Sequence, residues 1–231
     1  MVVLNSSCYQ QKERFIGDNQ DIISISTDKN TQLADGSSSV TITATINSEK
    51  IDNTGITFTT NDGVFNNHES IYSTDAKKQG DKYIAIAKIT SNKPNGNVQI
   101  AVNASGFKAQ TAVSFTNAYP EAVIIESTQA STKKVPDSTI KLSAKLKRST
   151  GTPSIGQKVT FVASYNGKPV QGFHSTDAGS STEGVVNTVF IVRDTSILDS
   201  TGKHDILTIT ATATGVDSTL TNSMNFILTE K

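Results

Sequence analysis

The side chains that could carry acid–base chemistry are few in this sequence and lie far apart. The histidines are His68, His174 and His204, and each falls in a predicted loop or at the start of a predicted strand. A catalytic base must lie within hydrogen-bond reach of its target, and the sequence contains neither a Gly-x-Ser-x-Gly elbow nor a phosphate-binding glycine loop. The pattern predicts solvated loop histidines and a protein that is not an enzyme, with a hydrolase as the least favoured function class.

Metal binding is also poorly supported, because the acidic residues are widely spaced. Calcium sites need several oxygen ligands close together, whereas single aspartates after a strand ordinarily form turns. One cysteine and three scattered histidines also lack the ligand spacing of a structural zinc site. The sequence therefore predicts no metal and no cofactor. The aspartates considered as calcium ligands are Asp35, Asp62, Asp75, Asp137 and Asp177.

Aromatic side chains that could form the platform of a sugar-binding site are scarce. The sequence contains no Trp, and its tyrosines beyond the N-terminal segment are dispersed. Dispersed tyrosines are typical of the edge of a core or of a joint, where the ring is buried and the hydroxyl is hydrated or bonded. The tyrosines in question are Tyr72, Tyr83, Tyr119 and Tyr165.

Cys8 is the one cysteine of the chain, and it ends the segment VVLNSSC at residues 2–8. This segment resembles the end of a bacterial lipoprotein signal, in which small residues precede a cysteine that is lipidated and becomes the mature N-terminus. Leu4 lies one position further from the cysteine than in the usual pattern, and the charged region and most of the apolar region are missing. The resemblance predicts Cys8 as a lipidation site on a flexible tether, residues 1–20. The alternative is an incidental free cysteine.

The strands that must position any site are organised around residues 38–47, where apolar and hydroxyl side chains alternate. Side chains on a strand point to opposite faces with period two, so Val40, Ile42 and Ala44 should face a core while the threonines face water. The same alternation returns about one hundred positions later, at residues 140–147. One structural unit has therefore been used twice.

Several further features repeat in the same order. Val159 and Phe161 match Ile56 and Phe58, which predicts that the two phenylalanines are equivalent core residues. Residues 207–213 match residues 98–104, and the STDA run at 175–178 matches the one at 73–76. Residues 82–90 carry apolar side chains in both phases, which predicts a strand buried on both faces or a bulge.

Composition agrees with a repeated β architecture. Thr, Ser, Val and Ile are abundant, and Gly, Asn and Asp punctuate the apolar runs, as in an all-β sandwich. A chain of 231 residues can hold two such units. We predict an N-terminal tether at 1–20, a first domain at 21–118 and a second at 119–231, with a short proline-containing joint at 117–121.

The order of these motifs resembles that of bacterial immunoglobulin-like domains of the invasin and intimin type. The resemblance rests on the ADGSS turn at 34–38 before the strand at 40–46, then ITF at 56–58, STDA at 73–76 and VQIAVNASG at 98–106. It covers nearly all of both units and implies two tandem immunoglobulin-like Greek-key β-sandwiches. The second unit departs from the pattern, since it has VPDS at 135–138 in place of the Asp-Gly turn.

Charge and hydropathy restrict the partners. Lys plus Arg and Asp plus Glu both number 21, and without a basic stripe nucleic acid is not an expected partner. No apolar run is long enough to span a bilayer, so a membrane is expected only through the candidate lipid anchor.

The resemblance implies a bacterial location and a role in adhesion. We expect a non-enzymatic cell-surface or secreted protein, either an outer-membrane lipoprotein or extracellular, that acts as a spacer, stalk or adhesion module. Its partners would be a protein or glycan, or flanking domains of a larger assembly. The alternative is a carbohydrate- or protein-binding module of a surface lipoprotein. The resemblance transfers no receptor-binding residues.

Overall fold

A computed structural model describes residues 22–47, 54–201 and 204–230. The described residues form β-strands with one short helix, so the predicted all-β class is confirmed. Cys8 and the predicted tether lie outside the described residues. The strands are β1 (Ile23–Thr27), β2 (Thr31–Leu33), β3 (Ser39–Asn47), β4 (Gly55–Thr60), β5 (Val64–Phe65), β6 (Ile71–Asp75), β7 (Lys77–Gln79), β8 (Lys82–Thr90), β9 (Gly96–Ala104) and β10 (Phe107–Thr116).

The chain continues with β11 (Ala122–Glu126), β12 (Ser131–Lys133), β13 (Thr139–Lys147), β14 (Val159–Tyr165), β15 (Lys168–Val170), β16 (Phe173–Thr176), β17 (Val185–Ile191), the helix α1 (Thr195–Leu198), β18 (His204–Thr214) and β19 (Thr219–Thr229). Asp194 caps the short helix, since its carboxylate accepts the backbone N–H of Ser196.

The strands form two pairs of sheets with the same strand order. Sheet I is β1-β3-β8-β5, with β7 also on β8, and sheet II is β2-β10-β9-β4-β6. Sheet III is β11-β13-β17-β16, and sheet IV is β12-β19-β18-β14-β15. In each half one short strand pairs in parallel with the last strand of the half, β2 with β10 and β12 with β19. We call sheets I and II the N-terminal sandwich and sheets III and IV the C-terminal sandwich.

Each sandwich has its own apolar core between its two sheets, formed by residues 23–115 and 123–228 respectively. In β3 every second residue is buried, as the alternation predicts, and the intervening threonines are half-exposed. β13 shows the same period, with Ile140, Leu142, Ala144 and Leu146 inward. Alternation along a pleated strand thus decides which face joins the core.

The registers of the central strands agree with the predicted repeat. Phe58 lies opposite Val102 on β9, and Phe161 lies opposite Ala211 on β18. Phe58 is fully buried and Phe161 is 9% exposed. The two phenylalanines therefore occupy matching places in the two sandwiches. The domain limits at 118 and 119 stay a prediction.

Two expectations from the sequence are wrong. β8 is neither buried on both faces nor bulged, because its register with β3 is continuous and Ile86 is 56% exposed. The STDA runs are not equivalent: Ser73 lies in β6 of sheet II, whereas Thr176 lies in β16 of sheet III. In the N-terminal sandwich the chain passes from sheet II to sheet I directly after its STDA run. In the C-terminal sandwich the chain has already passed from sheet IV to sheet III before its STDA run.

Candidate functional site

The two sandwiches meet at a hydrogen-bonded joint. It is formed by three segments: the turn at 34–38 after β2, the linker at 117–121 and the loop at 148–158 between β13 and β14. The loop is longer than its counterpart between β3 and β4, and it lies against the end of the N-terminal sandwich. We use "the joint" for these three segments.

Ser154 is the centre of the joint and is fully buried. Its backbone N–H donates to Ala118 O at 3.0 Å. Its hydroxyl donates to Ala34 O at 2.8 Å and accepts the N–H of Ala118 at 2.9 Å. One side chain thus satisfies backbone groups of both the turn and the linker, which would otherwise be buried without partners. Ala34 and Ala118 are themselves fully buried.

Asp35, one of the aspartates considered for calcium, instead shapes the turn of the joint. Its carboxylate accepts the N–H groups of Ser37 and Ser38 at 2.8 and 2.6 Å and the Ser38 hydroxyl at 2.6 Å. Burial raises the pKa of this carboxyl, but the hydrogen bonds from Ser38 and Ser37 outweigh that effect and leave the pKa below 3.8. The oxygens are therefore committed to the turn.

Gly151 lets the loop approach this turn closely. Its φ is +67°, and a Cβ placed there would lie 2.6 Å from the carbonyl oxygen of Asp35. The same carbonyl accepts the N–H of Thr152 at 2.9 Å. Only glycine combines this backbone conformation with such a contact.

Two charged side chains, Arg148 and Lys93, also form contacts at the joint. The Arg148 guanidinium, 8% exposed, donates to Tyr119 O in the linker and lies 3.6 Å from the Glu121 carboxylate. The Lys93 ammonium of the N-terminal sandwich donates to Thr182 O of the C-terminal sandwich at 2.5 Å. The Lys93 bond joins the two sandwiches directly, and the Arg148 contacts tie the linker to the loop at 148–158.

Replacing Gly151 by Ala is expected to loosen the joint. The new Cβ would overlap the Asp35 backbone, in addition to the strain of about 1–3 kcal/mol that a positive φ imposes on alanine. Gly156→Ala is the matched control, because its φ is +84° but its Cβ would meet no atom within 4 Å. NMR relaxation should give separate rotational correlation times for the two sandwiches in Gly151→Ala only. Equal behaviour of the two variants would contradict a role for this contact.

Two hollows accompany these features. A cavity of about 430 Å³ lies at the joint and is lined mainly by apolar atoms, including Phe65, Pro94 and Ile155. An open groove of about 650 Å³, lined by polar and apolar atoms alike, lies on the outer face of sheet III between Glu126, Lys141 and Asp177. Neither contains the arrangement of base and nucleophile that catalysis needs.

The structure keeps the other candidate residues apart and gives three of the four remaining aspartates local partners. His68 and His174 are exposed, and His204 begins β18. Asp62 accepts the N–H of Gly63, Asp137 pairs with Arg193, Asp177 accepts from Asn187, and Asp75 is exposed on β6. Within 22–47, 54–201 and 204–230, no three acidic, histidine or cysteine side chains group closely enough to hold a metal ion.

The tyrosines lie at the edges of the cores and at the joint, as predicted. Tyr72 and Tyr83 pack against the core of the N-terminal sandwich, and Tyr119 is half-buried in the linker. Tyr165 is buried, and its hydroxyl donates to Ser200 Oγ at 2.6 Å. None of the helices in the described residues has the length and apolar character needed to cross a membrane.

Sequence reasoning placed the joint at 117–121 but missed Ser154 and Gly151. Ser154 acts here through a backbone carbonyl and a backbone N–H of distant residues, and such partners leave no trace in a sequence. The one available signal was the longer loop at 148–158, in which Gly151 and a proline follow polar residues.

Comparison with known proteins gives structural relatives only. No profile of a known protein family and no curated protein matches the sequence. The adhesin InvE of Yersinia pseudotuberculosis covers 91% of this chain at 17% identity with a TM-score of 0.50. Invasin, a bacterial integrin-binding protein, covers 88% at 15% identity with a TM-score of 0.60.

The chain spans 61% of the InvE structure and 39% of the invasin structure. At these identities the likeness concerns the fold. The resemblance predicted from the sequence is confirmed at that level, and this chain is an all-β protein with the immunoglobulin-like fold of the invasin type.

Proposed function

We propose that this chain is a non-enzymatic stalk module of a bacterial surface or secreted adhesin. The observation that carries the proposal is the buried joint, in which Ser154 bonds to both the turn and the linker. Neighbouring domains are expected to move relative to one another by default, and bending at this joint would leave buried backbone groups without their partners, which costs free energy. A fixed angle is what a spacer needs in order to hold a distal domain away from a surface.

The outer faces of the sheets also favour a spacer. Binding energy at protein interfaces is concentrated in Trp, Tyr and Arg. The outward positions of β14, β18 and β19 carry mainly Thr, Ser and Asn, and their exposed apolar side chains are the aliphatic Val162, Ile206 and Ile227. A carbohydrate- or protein-binding module is the second candidate function, and the open groove on sheet III is the observation in its favour. InvE is described as an adhesin and invasin as integrin-binding. A surface location and adhesion are proposed here on that likeness.

Replacing Ser154 by Ala is expected to weaken the joint without unfolding either sandwich. The change leaves Ala34 O and the N–H of Ala118 buried without their partner, at a cost of about 1–3 kcal/mol. Small-angle scattering of wild type should fit a single rigid arrangement of the two sandwiches, and the variant should need an ensemble of angles. The exposed Ser131, changed to Ala, is the control. Ensemble behaviour in wild type would reject the stalk.

Surface binding is tested separately from stiffness. Glycan and matrix-protein arrays probed with the whole chain should show no specific ligand if the chain is only a stalk. Submicromolar binding that Asn187→Ala in the groove abolishes would favour the binding module instead.

The proposed anchor is Cys8. In a full-length precursor expressed in its host, wild type should incorporate labelled palmitate, and Cys8→Ser should not, because lipidation requires the thiol. Unlabelled wild type would leave the incidental free cysteine as the correct interpretation.

A further inference from the structure

Among residues 22–47, 54–201 and 204–230, no strand pairs with the outer side of β6, so β6 forms an open edge of sheet II. It pairs on one side with β4, where Thr57 lies opposite Ser73. The N–H of Thr60 donates to Ser70 O and that of Ala76 to Thr54 O. Because backbone groups alternate in direction along an antiparallel strand, those of Ile71, Ser73 and Asp75 point away from β4.

These three residues are also exposed along the whole strand. The burial pattern of β6 alternates, with Ile71, Ser73 and Asp75 exposed and the intervening residues half-buried. Ile71 is 53% exposed and carries no charge, whereas a charged side chain is one of the devices that discourage strand addition at an edge. Ile71 O accepts Asn67 Nδ2 at 2.8 Å, and this carbonyl can accept a second hydrogen bond.

The other edges of the described sheets are protected in ways that β6 is not. β2, β5, β7 and β12 have three residues or fewer, and the register of β16 with β17 is interrupted. On β11 the N–H of Ile125 donates to Asn222 Oδ1, and on β1 the edge-facing Ile23 is buried. The equivalent edge of the C-terminal sandwich is β15, where Pro169 cannot donate a hydrogen bond.

We propose that β6 is a self-association site, at which a second copy of this chain adds its own β6 antiparallel to form one sheet across two molecules. Antiparallel pairing of identical strands is isologous, so the two copies are related by a two-fold axis. The axis passes through Ser73, which lies opposite the partner's Ser73. Ile71 then lies opposite the partner's Asp75, and the exposed backbone groups of both strands become hydrogen-bonded.

Charge and size define the strength of this pairing. The pairing puts no like charges directly opposite one another, and the chain has a formal net charge of zero, so long-range repulsion is small. A five-residue strand pair buries less than the roughly 1,200 Å² that stable interfaces need. The dimer is therefore weak for isolated chains and gains strength where many copies are held on one surface.

Sedimentation equilibrium of the whole chain, from micromolar to millimolar concentration, tests the proposal. The average mass of wild type should rise toward that of a dimer. Ile71→Asp places a negative charge across from Asp75 of the other copy, and this repulsive pair occurs twice in the symmetric dimer. Ile71→Lys places a positive charge at the same two positions, where it attracts that aspartate. The Lys variant should therefore dimerise roughly tenfold more tightly than the Asp variant, although both lose the isoleucine.

A backbone variant checks the strand pairing itself. Ser73→Pro removes an edge-facing N–H and should abolish dimerisation, whereas Ser73→Ala should keep it. If the proline variant fails to fold, the comparison of Ile71→Asp with Ile71→Lys decides alone. A wild type that stays monomeric at millimolar concentration would overturn the proposal, and so would equal dimerisation of the Asp and Lys variants.

Discussion

Replacing Phe58 by Ala is expected to lower the free energy of unfolding of the N-terminal sandwich by about 3–5 kcal/mol. Phe58 is fully buried, and its ring centroid lies 6.2 Å from that of Phe65 and 6.4 Å from that of Tyr72. Removing the ring leaves a cavity whose lining loses its contacts, because a sheet sandwich cannot collapse freely around it. The C-terminal sandwich has a separate core and should keep its own stability.

The matched change is Phe161→Ala in the C-terminal sandwich. Hydrogen exchange resolved by mass spectrometry separates the two effects, since peptides from β8 and β9 report one core and peptides from β17 and β18 the other. Each variant should speed exchange in its own sandwich. Ile86→Ala, at a side chain that is 56% exposed, should stay within about 0.5 kcal/mol of wild type. Equal loss in both sandwiches would contradict two independent cores.

The strands could be predicted from the sequence because their signal is local. β3 and β13 alternate apolar and polar residues over nine positions, and burial follows that alternation. The register of Phe58 and Phe161 followed from matching the two halves, since a shift of one residue would have turned each ring toward water. In β8, apolar residues occur at both odd and even positions of the strand, so the alternation alone did not predict that Ile86 faces outward.

Features that depend on distant residues could not be predicted in the same way. Phe65 and Phe173 hold equivalent places beside Phe58 and Phe161, with ring centroids 6.2 and 5.8 Å apart. Their sequence surroundings differ, because β5 is a two-residue strand and β16 is longer. The two STDA runs look alike and lie in different sheets, which shows that a turn motif alone does not fix the sheet to which it belongs.

Replacing Lys134 by Ala is expected to destabilise the C-terminal sandwich by about 1–3 kcal/mol, because it leaves a partly buried carboxylate without its counter-ion. The Lys134 ammonium lies 2.8 Å from Asp205 Oδ2, and the side chains are 3% and 13% exposed. Ser200 donates to the same oxygen at 2.5 Å, and Tyr165 donates to Ser200 at 2.6 Å. The network lies at the end of β14 remote from the joint.

The surface pair of Arg193 and Asp137 is the matched control. Its nitrogen and oxygen are also 2.8 Å apart, but its side chains are 59% and 68% exposed. Water screens such a pair, so Arg193→Ala should cost at most about 1 kcal/mol. Chemical denaturation of wild type, Lys134→Ala and Arg193→Ala compares the loss of stability for two ion pairs that have the same nitrogen–oxygen distance. A double variant, Lys134→Met with Asp205→Leu, should recover most of the loss, since it leaves neither charge buried.

Acid titration gives this network a second, independent readout. Hydrogen bonds from Lys134 and Ser200, together with the Tyr165 hydroxyl that bonds to Ser200, lower the pKa of Asp205 from 3.8 to about 2. The folded state therefore holds the proton less tightly than the unfolded state, so the contribution of Asp205 is complete above about pH 4 and is lost as the pH falls toward 2. The difference in unfolding free energy between wild type and Asp205→Asn should shrink over that interval. A difference that stayed constant from pH 5 to about pH 2 would show that the carboxylate is not held by these hydrogen bonds.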